Sequence, residues 1–266
     1  MIKIKNNISE RGIYNDLLRE FKKKNHNLTV VSPLERREKK ASTFYVEDGV
    51  NYIKIRTLNI QKTNFIEKGI STILIEYQFL RAIKKHTKNI KFDLVLYSTP
   101  PVTLYKPLNF IKKRDKAITY LLLKDIFPQN VLDLGYLSEN NLIYKFFKNK
   151  EKELYKVSDW IGCMSKANVD YMKINYPELK NKLEINANSI EPIKLINKED
   201  GKIFLHDFYK IPKDSIVFLF SGNIGKPQGI DNLLKFLKIF KRKKNVFFLI
   251  IGDGTESIKV KNFIIK

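Results

Sequence analysis

At 266 residues the chain exceeds one average domain, so a single small module is excluded and two units, or one and part of a second, are expected. Hydrophobic residues at 43% and aromatics at 12% supply enough apolar surface for a packed core and exclude a disordered chain. Fifty Lys and Arg against 28 Asp and Glu leave a net charge of +22, which points to an anionic partner.

The basic excess is almost entirely lysine, with arginine confined to Arg11, Arg19, Arg36, Arg37, Arg56, Arg81, Arg114 and Arg242. Only arginine builds the bidentate forks that selective phosphate or base recognition favours, so solvated surface lysine accounts for the charge and a nucleic-acid partner is not expected.

In chain order, Ile13, Leu17, Leu18 and Phe21 mark one face of a helix over 11–24, and 28–31 reads as a buried strand ending at Ser32-Pro33. The alternation continues with a helix over 65–86, a strand over 92–97, a helix over 103–113 and a strand over 117–123. It goes on with a helix over 141–157, a strand over 160–164, a helix over 166–175 and a strand over 183–186. Strands alternating with helices of this length predict right-handed βαβ crossovers and a doubly wound parallel sheet, with ligands at strand carboxyl ends. A polar stretch containing Pro192 and Gly201 then reads as a connector. Beyond it, a strand over 215–221, a helix over 229–241 and a strand over 245–251 make one further βαβ unit.

That arrangement gives an amino-terminal Rossmann-like domain over 1–187, a linker over 188–201 and an incomplete second Rossmann-like domain over 202–266. The second unit is too short to cover a parallel sheet, so Phe218, Phe220, Phe248 and Ile250 are expected to lie exposed. At the front, Met1 to Lys5 offers only an Ile-Lys alternation, which is either an odd first strand or none.

The strongest chemical signal is Ser221-Gly-Asn-Ile-Gly-Lys-Pro-Gln-Gly229 between a strand and a helix. Gly222, Gly225 and Gly229 let backbone approach a ligand, the helix start offers N–H groups, and Lys226 adds a full charge, so a diphosphate is the natural guest. Pro227 stands where the Walker pattern needs Ser or Thr, and the dinucleotide fingerprint is absent; the alternative is a tight turn with a solvated lysine. Gly252-Asp253-Gly254 is equally a nucleotide-lining turn or a plain strand ending.

Asp125, after an apolar strand, is placed to orient a sugar hydroxyl or act as a general base, or else caps the turn into Pro128. Ser98 and Ser165 sit at other strand ends, where each is a donor to ligand oxygens or a helix N-cap. Cys163, in an apolar run, reads as a buried small hydrophobe in a reducing compartment. The three histidines lie in unrelated settings and no Asp-x-Asp pair is present, so neither a metal nor another cofactor is expected. The Lys-rich aromatic stretches 104–114 and 144–152 fit an anionic membrane surface or ordinary amphipathic helices. No apolar run approaches the ~20 residues that span a bilayer, so neither export nor a spanning segment is expected.

Eight segments in order carry a family resemblance: Glu10 to Leu18, Lys68 to Thr72, Tyr97 to Pro101, Leu122 to Gln129, Cys163 to Asn168, Asn188 to Pro192, Ser221 to Gly229 and Gly252 to Glu256. Together they resemble the bacterial family 4-type, GT-B fold glycosyltransferases of capsule and O-antigen assembly. The resemblance implies two Rossmann-like domains, a nucleotide-sugar donor as co-substrate, and retaining transfer to a polyprenyl-diphosphate-linked acceptor at the cytoplasmic membrane face. It implies a diphosphate loop of Gly222, Asn223, Gly225 and Lys226, with Gln228, Gly252 and Gly254 beside it. It also implies a cleft position for Asp125, often His in relatives, with Lys68, Ser98 and Ser165 as further cleft candidates. The family's first strand should precede Glu10 and its Glu-x7-Glu element should follow Glu256, so the chain is expected to be truncated at both ends. A non-catalytic remnant, binding the acceptor or a partner that carries the missing half, is the reading from another class.

Overall fold

The computed structural model describes residues 10–60, 63, 65–192 and 206–265, without the side chains of Phe65, Ile66 and Lys68. The Ile-Lys alternation at the front lies outside these residues, as does most of the expected linker. The chain divides into two compact units, Met1–Glu191 and Pro192–Lys266.

In the first unit α1 (Ile13–Lys23) leads into β1 (Leu28–Glu35). That strand runs through Ser32-Pro33 instead of ending there, because its pairing with a parallel neighbour continues to Glu35. The neighbour, β3 (Val50–Thr57), is joined to β2 (Thr43–Glu47) in an antiparallel hairpin that the βαβ reading does not contain. Asp48 and Gly49 turn it with φ of 50° and 73°, the positive pair that a two-residue hairpin turn requires. Tyr45 and Tyr52 are register partners across it and stack at 5.1 Å between ring centroids.

A second sheet of four parallel strands, in the order β4-β5-β6-β7, follows: β4 (Leu94–Ser98), β5 (Ile118–Leu123), β6 (Trp160–Cys163) and β7 (Leu183–Ile185). α2 (Phe65–His86) leads into it, and between its strands run α3 (Tyr105–Asp115), the short α4 (Gln129–Asp133), α5 (Leu142–Val157) and α6 (Lys166–Asn175). The main core forms where β5 and β6 meet α5 and α6: Leu121, Ile161, Cys163, Leu154 and Met172 are each 0% exposed. Burial of this extent is worth roughly 1.5–3 kcal/mol per large apolar side chain. Cys163 therefore does behave as a small hydrophobe.

The second unit holds β8 (Ile216–Ser221), α7 (Ile230–Phe240), β9 (Val246–Ile251) and α8 (Ser257–Ile265), with β8 and β9 parallel. Here the expected exposure holds for Phe218, while Phe220, Phe248 and Ile250 are partly covered. Phe218 and Phe248 stack at 5.3 Å and meet Phe236 and Phe240 of α7, while Phe220 and Ile250 pack on a cluster of Ile224, Ile230 and Val260. Both helices therefore pack on the even-numbered face. The opposite face keeps Leu219 at 59% and Ile251 at 44% exposure and buries Leu249.

Candidate functional site

Two sets of residues collect at strand carboxyl ends, one in each unit. In the first unit the rim of the four-stranded sheet carries Ser98 after β4, Lys124 and Asp125 after β5, Ser165 after β6 and Asn186 to Asn188 after β7. Ser98 accepts a hydrogen bond from the Tyr14 hydroxyl at 2.8 Å, which ties the start of α1 to the end of β4. Asp125 is exposed. Its backbone is held by the buried Thr99, whose hydroxyl donates to the Asp125 carbonyl at 2.9 Å. Its carboxylate is thus carried on a fixed backbone and presented to solvent, as a ligand-directed group requires.

Ser165 is the N-cap of α6: its hydroxyl accepts from the Asn168 N–H at 3.2 Å and donates to Asn168 Oδ1 at 3.1 Å. These bonds assign it to the helix start. Lys68 lies in α2, and its side chain is outside the described residues. Sequence reasoning missed Lys124, whose ammonium donates to Asn188 Oδ1 and whose pKa is lowered by burial. Its only signal was adjacency to Asp125 in Leu123-Lys-Asp-Ile126. That bond, with Asp16 accepting from the Glu191 N–H at 2.9 Å, also corrects the domain boundary. Asn188 to Glu191, expected in the linker, belong to the first unit.

In the second unit the two glycine loops are laced together. Gly222 N–H donates to the Ile251 carbonyl at 3.0 Å, Ile224 N–H to the Asp253 carbonyl at 2.9 Å, and Glu256 N–H back to the Ile224 carbonyl at 2.9 Å. The lacing explains the glycines of the second loop. A Cβ on Gly252 would collide with the Gly222 carbonyl, and one on Gly254 with the Ile224 carbonyl. Gly252 and Gly254 thus serve close backbone packing.

The first loop has different needs. Gly222 takes φ of 152° and Gly229 takes 63°, both in the region glycine favours. Around Gly225 the Asn223 amide donates to Gln228 Oε1 at 2.8 Å, and a Cβ there would stand 2.7 Å from Asn223 Nδ2. Asn223 and Gln228 thus clasp the turn from within. Lys226 begins a 3₁₀ turn over Lys226–Gln228 that intervenes before α7, so the loop does not feed the helix directly. Among the described residues, the backbone N–H groups of Asn223 and Gly225 make no hydrogen bond. The unbonded N–H of the exposed Asn223 and the exposed Lys226, on one short loop braced over the buried Gly225, form an anion-accepting arrangement.

The two Lys-rich aromatic stretches turn most of their apolar groups inward. Pro107, Leu108 and Ile111 of α3 and Tyr144 and Phe147 of α5 are buried, leaving Leu142, Ile143 and Phe146 exposed. Among the described residues no helix is long and apolar enough to cross a membrane.

No protein-family model matches the chain. It is 26% identical over 237 residues to the probable glycosyltransferase WbjE of Pseudomonas aeruginosa, covering 88% of this chain. The chain spans 56% of the length of that relative. Among solved structures, it superposes on the apo structure of OtsA with a TM-score of 0.66 at 8% identity, over 98% of this chain and 66% of that one. It also superposes on the structure described as trehalose-6-phosphate from E. coli bound with UDP-2-fluoro glucose, with a TM-score of 0.67 at 7% identity, over 99% and 67%. The fold is of the GT-B type.

Proposed function

We propose that the chain takes part in glycosyl transfer from a nucleotide-sugar, with the second unit holding the donor diphosphate. The observation that carries this reading is the loop at the end of β8, where the exposed Asn223 carries an unpaired N–H group close in sequence to the exposed Lys226. Homology to a probable glycosyltransferase supports the reaction class, and the GT-B type of fold supports the two-unit layout. Hydrogen bonds and a full positive charge aimed at the phosphates stabilise the charge that develops on a departing diphosphate. Lys226 and the Asn223 N–H group meet that charge in this reading without a metal. Gly252 and Gly254 contribute by letting the second loop nest against the first.

On the first unit we assign Asp125 to orient a sugar hydroxyl or take its proton, with Ser98 and Lys124 on the same sheet rim. We further propose retention at the transferred carbon, a polyprenyl-diphosphate-linked acceptor, and a role in O-antigen or capsule assembly at the cytoplasmic membrane face. These finer assignments rest on the eight segments in register with the family 4-type pattern.

Calorimetric titration of the chain with UDP-, GDP- and dTDP-sugars tests the donor site. Saturable binding that the matching nucleoside diphosphate displaces is the expected result, and no binding of any of them overturns it. The reading of a chain that binds without turnover is favoured by the exposed Leu219 and Ile251 of β8 and β9. Release of nucleoside diphosphate in the presence of a polyprenyl-diphosphate glycan separates the two.

A further inference from the structure

Three partly buried lysines of the first unit, Lys112, Lys148 and Lys150, meet carboxylates at 2.6, 2.9 and 2.8 Å. Lys124, half-buried at the carboxyl end of β5, forms no ion pair among the described residues. Burial lowers its pKa with no anion to offset the effect. A charge drawn from water without a counter-charge costs stability, and ligand sites are where such groups collect.

The hydrogen-bond partner of Lys124 is Asn188 Oδ1. An ammonium carries donors only, so Asn188 gives it the carbonyl oxygen and keeps its NH2 group for another acceptor. Among the described residues that NH2 group and the backbone N–H groups of Asn188 and Ser189 make no hydrogen bond. Both residues are exposed. One positive charge and a set of open donors thus stand side by side, which suits an anion.

The segment that carries Asn188 is fixed before and after it. The Asn186 N–H donates to the Cys163 carbonyl of β6 at 2.7 Å, and the Asn186 side-chain amide donates to the Tyr120 hydroxyl of β5 at 2.8 Å. That second contact passes over β6 at Gly162, where a Cβ would stand 2.5 Å from the Tyr120 oxygen and 2.7 Å from Asn186 Cβ. Further on, the Glu191 N–H donates to Asp16 of α1 at 2.9 Å. Holding the donors in place beforehand lowers the cost of binding a ligand.

We propose that Lys124, oriented by Asn188, binds the phosphate of a phosphorylated sugar whose hydroxyl meets Asp125, at a site of the first unit separate from the Lys226 loop. The part played by Asp125 rests on the glycosyl-transfer reading, whereas the anion contact of Lys124 does not. At the carboxyl end of a parallel strand, where ligands of such sheets bind, consecutive residues supply an ammonium for an anion and an exposed carboxylate for a hydroxyl. Together they select a sugar phosphate over a neutral sugar or a bare phosphate.

Amide NMR of the full chain titrated with α-glucosyl phosphate tests the site. Saturable shifts at Lys124, Asp125, Asn188 and Ser189 are expected, with inorganic phosphate binding more weakly and methyl glucoside without effect. Lys124→Met should weaken binding at least tenfold and Lys124→Arg should retain part of it, while Lys226→Ala and Lys180→Met, at an exposed lysine of the same unit, leave it unchanged. Asn188→Asp places a carboxylate on Lys124 and is expected to abolish the shifts while keeping or raising Tm, a combination that a merely structural lysine would not give. Equal affinity in wild type and Lys124→Met, shifts spread over the exposed lysines, or no preference over inorganic phosphate overturns the proposal. Tighter binding of glucosyl farnesyl diphosphate than of α-glucosyl phosphate identifies a lipid-linked source and equal binding a soluble one, and either supports the site. These probes carry no nucleoside, so failure of the nucleotide-sugar titrations leaves this result readable, and the reverse holds.

Discussion

Gly252 lies against the carbonyl of Gly222 so closely that a methyl group on it would stand within 3.1 Å of the carbonyl carbon and 3.2 Å of Ile224 Cγ1. The obstruction is backbone, which cannot swing aside as a flexible side chain does. Gly252→Ala is therefore expected to destabilise the second unit by about 1–3 kcal/mol or more, as overpacking does. Gly69 in α2 is the control, with nothing within 4 Å of the position a Cβ would take. Gly69→Ala should stabilise by about 0.5–1 kcal/mol, as expected in a helix interior. Urea unfolding followed by circular dichroism checks both.

Lys226 is exposed at the start of its 3₁₀ turn. Lys226→Ala is expected to lose about tenfold to a hundredfold in affinity for nucleoside diphosphates, the range for a hydrogen bond to a charged group. Lys226→Arg should retain part of it. Equal affinity in wild type and Lys226→Ala, measured by calorimetry, would remove the loop from the donor site.

Alkaline pH should weaken the first unit in a defined window. Burial raises the Cys163 thiol from its ordinary 9.0 to about 11, and burial together with the bond to Glu184 raises the Tyr120 phenol from 10.0 to about 12. The folded chain keeps both protons where the unfolded chain has lost them, so this contribution is complete below pH 9 and declines as pH rises toward 12. Urea midpoints measured between pH 8 and 12 should fall, and Tyr120→Phe should flatten the upper part of the decline. At neutral pH the thiol should resist disulfide reagents until the chain unfolds.

Leu219 and Ile251 are exposed on the odd-numbered face of β8 and β9. Replacing both with Thr should lower binding of an apolar dye and slow aggregation, with Tm unchanged. The same change at Phe218 and Phe248, which pack against Phe236 and Phe240, should instead unfold the unit. Dye fluorescence and light scattering separate the two pairs.

Much of the fold was legible locally. The helix and strand periods at α1, α5, β5, β8 and β9 place those elements within a few residues of where they lie. The hairpin of β2 and β3 was missed although Asp48-Gly49 marks it, because a scheme of helices alternating with parallel strands left no room for an antiparallel edge. Of the candidate residues, Asp125 and Lys226 are exposed in the loops after β5 and β8, whereas the Ser165 hydroxyl is engaged in capping α6.

The sequence by itself determined the α/β alternation and the position of the glycine loops, since periodicity and turn chemistry depend on residues close together in the chain. Tertiary structure alone decided that Gly252 and Gly254 are glycine for the sake of carbonyls some thirty residues away, that the even-numbered face of β8 and β9 is the one that packs on α7 and α8, and that β1 and β4 line one cavity. Each of these is a relation between backbone groups far apart in sequence, set by how strands align and helices pack, and no local pattern of residue types encodes it.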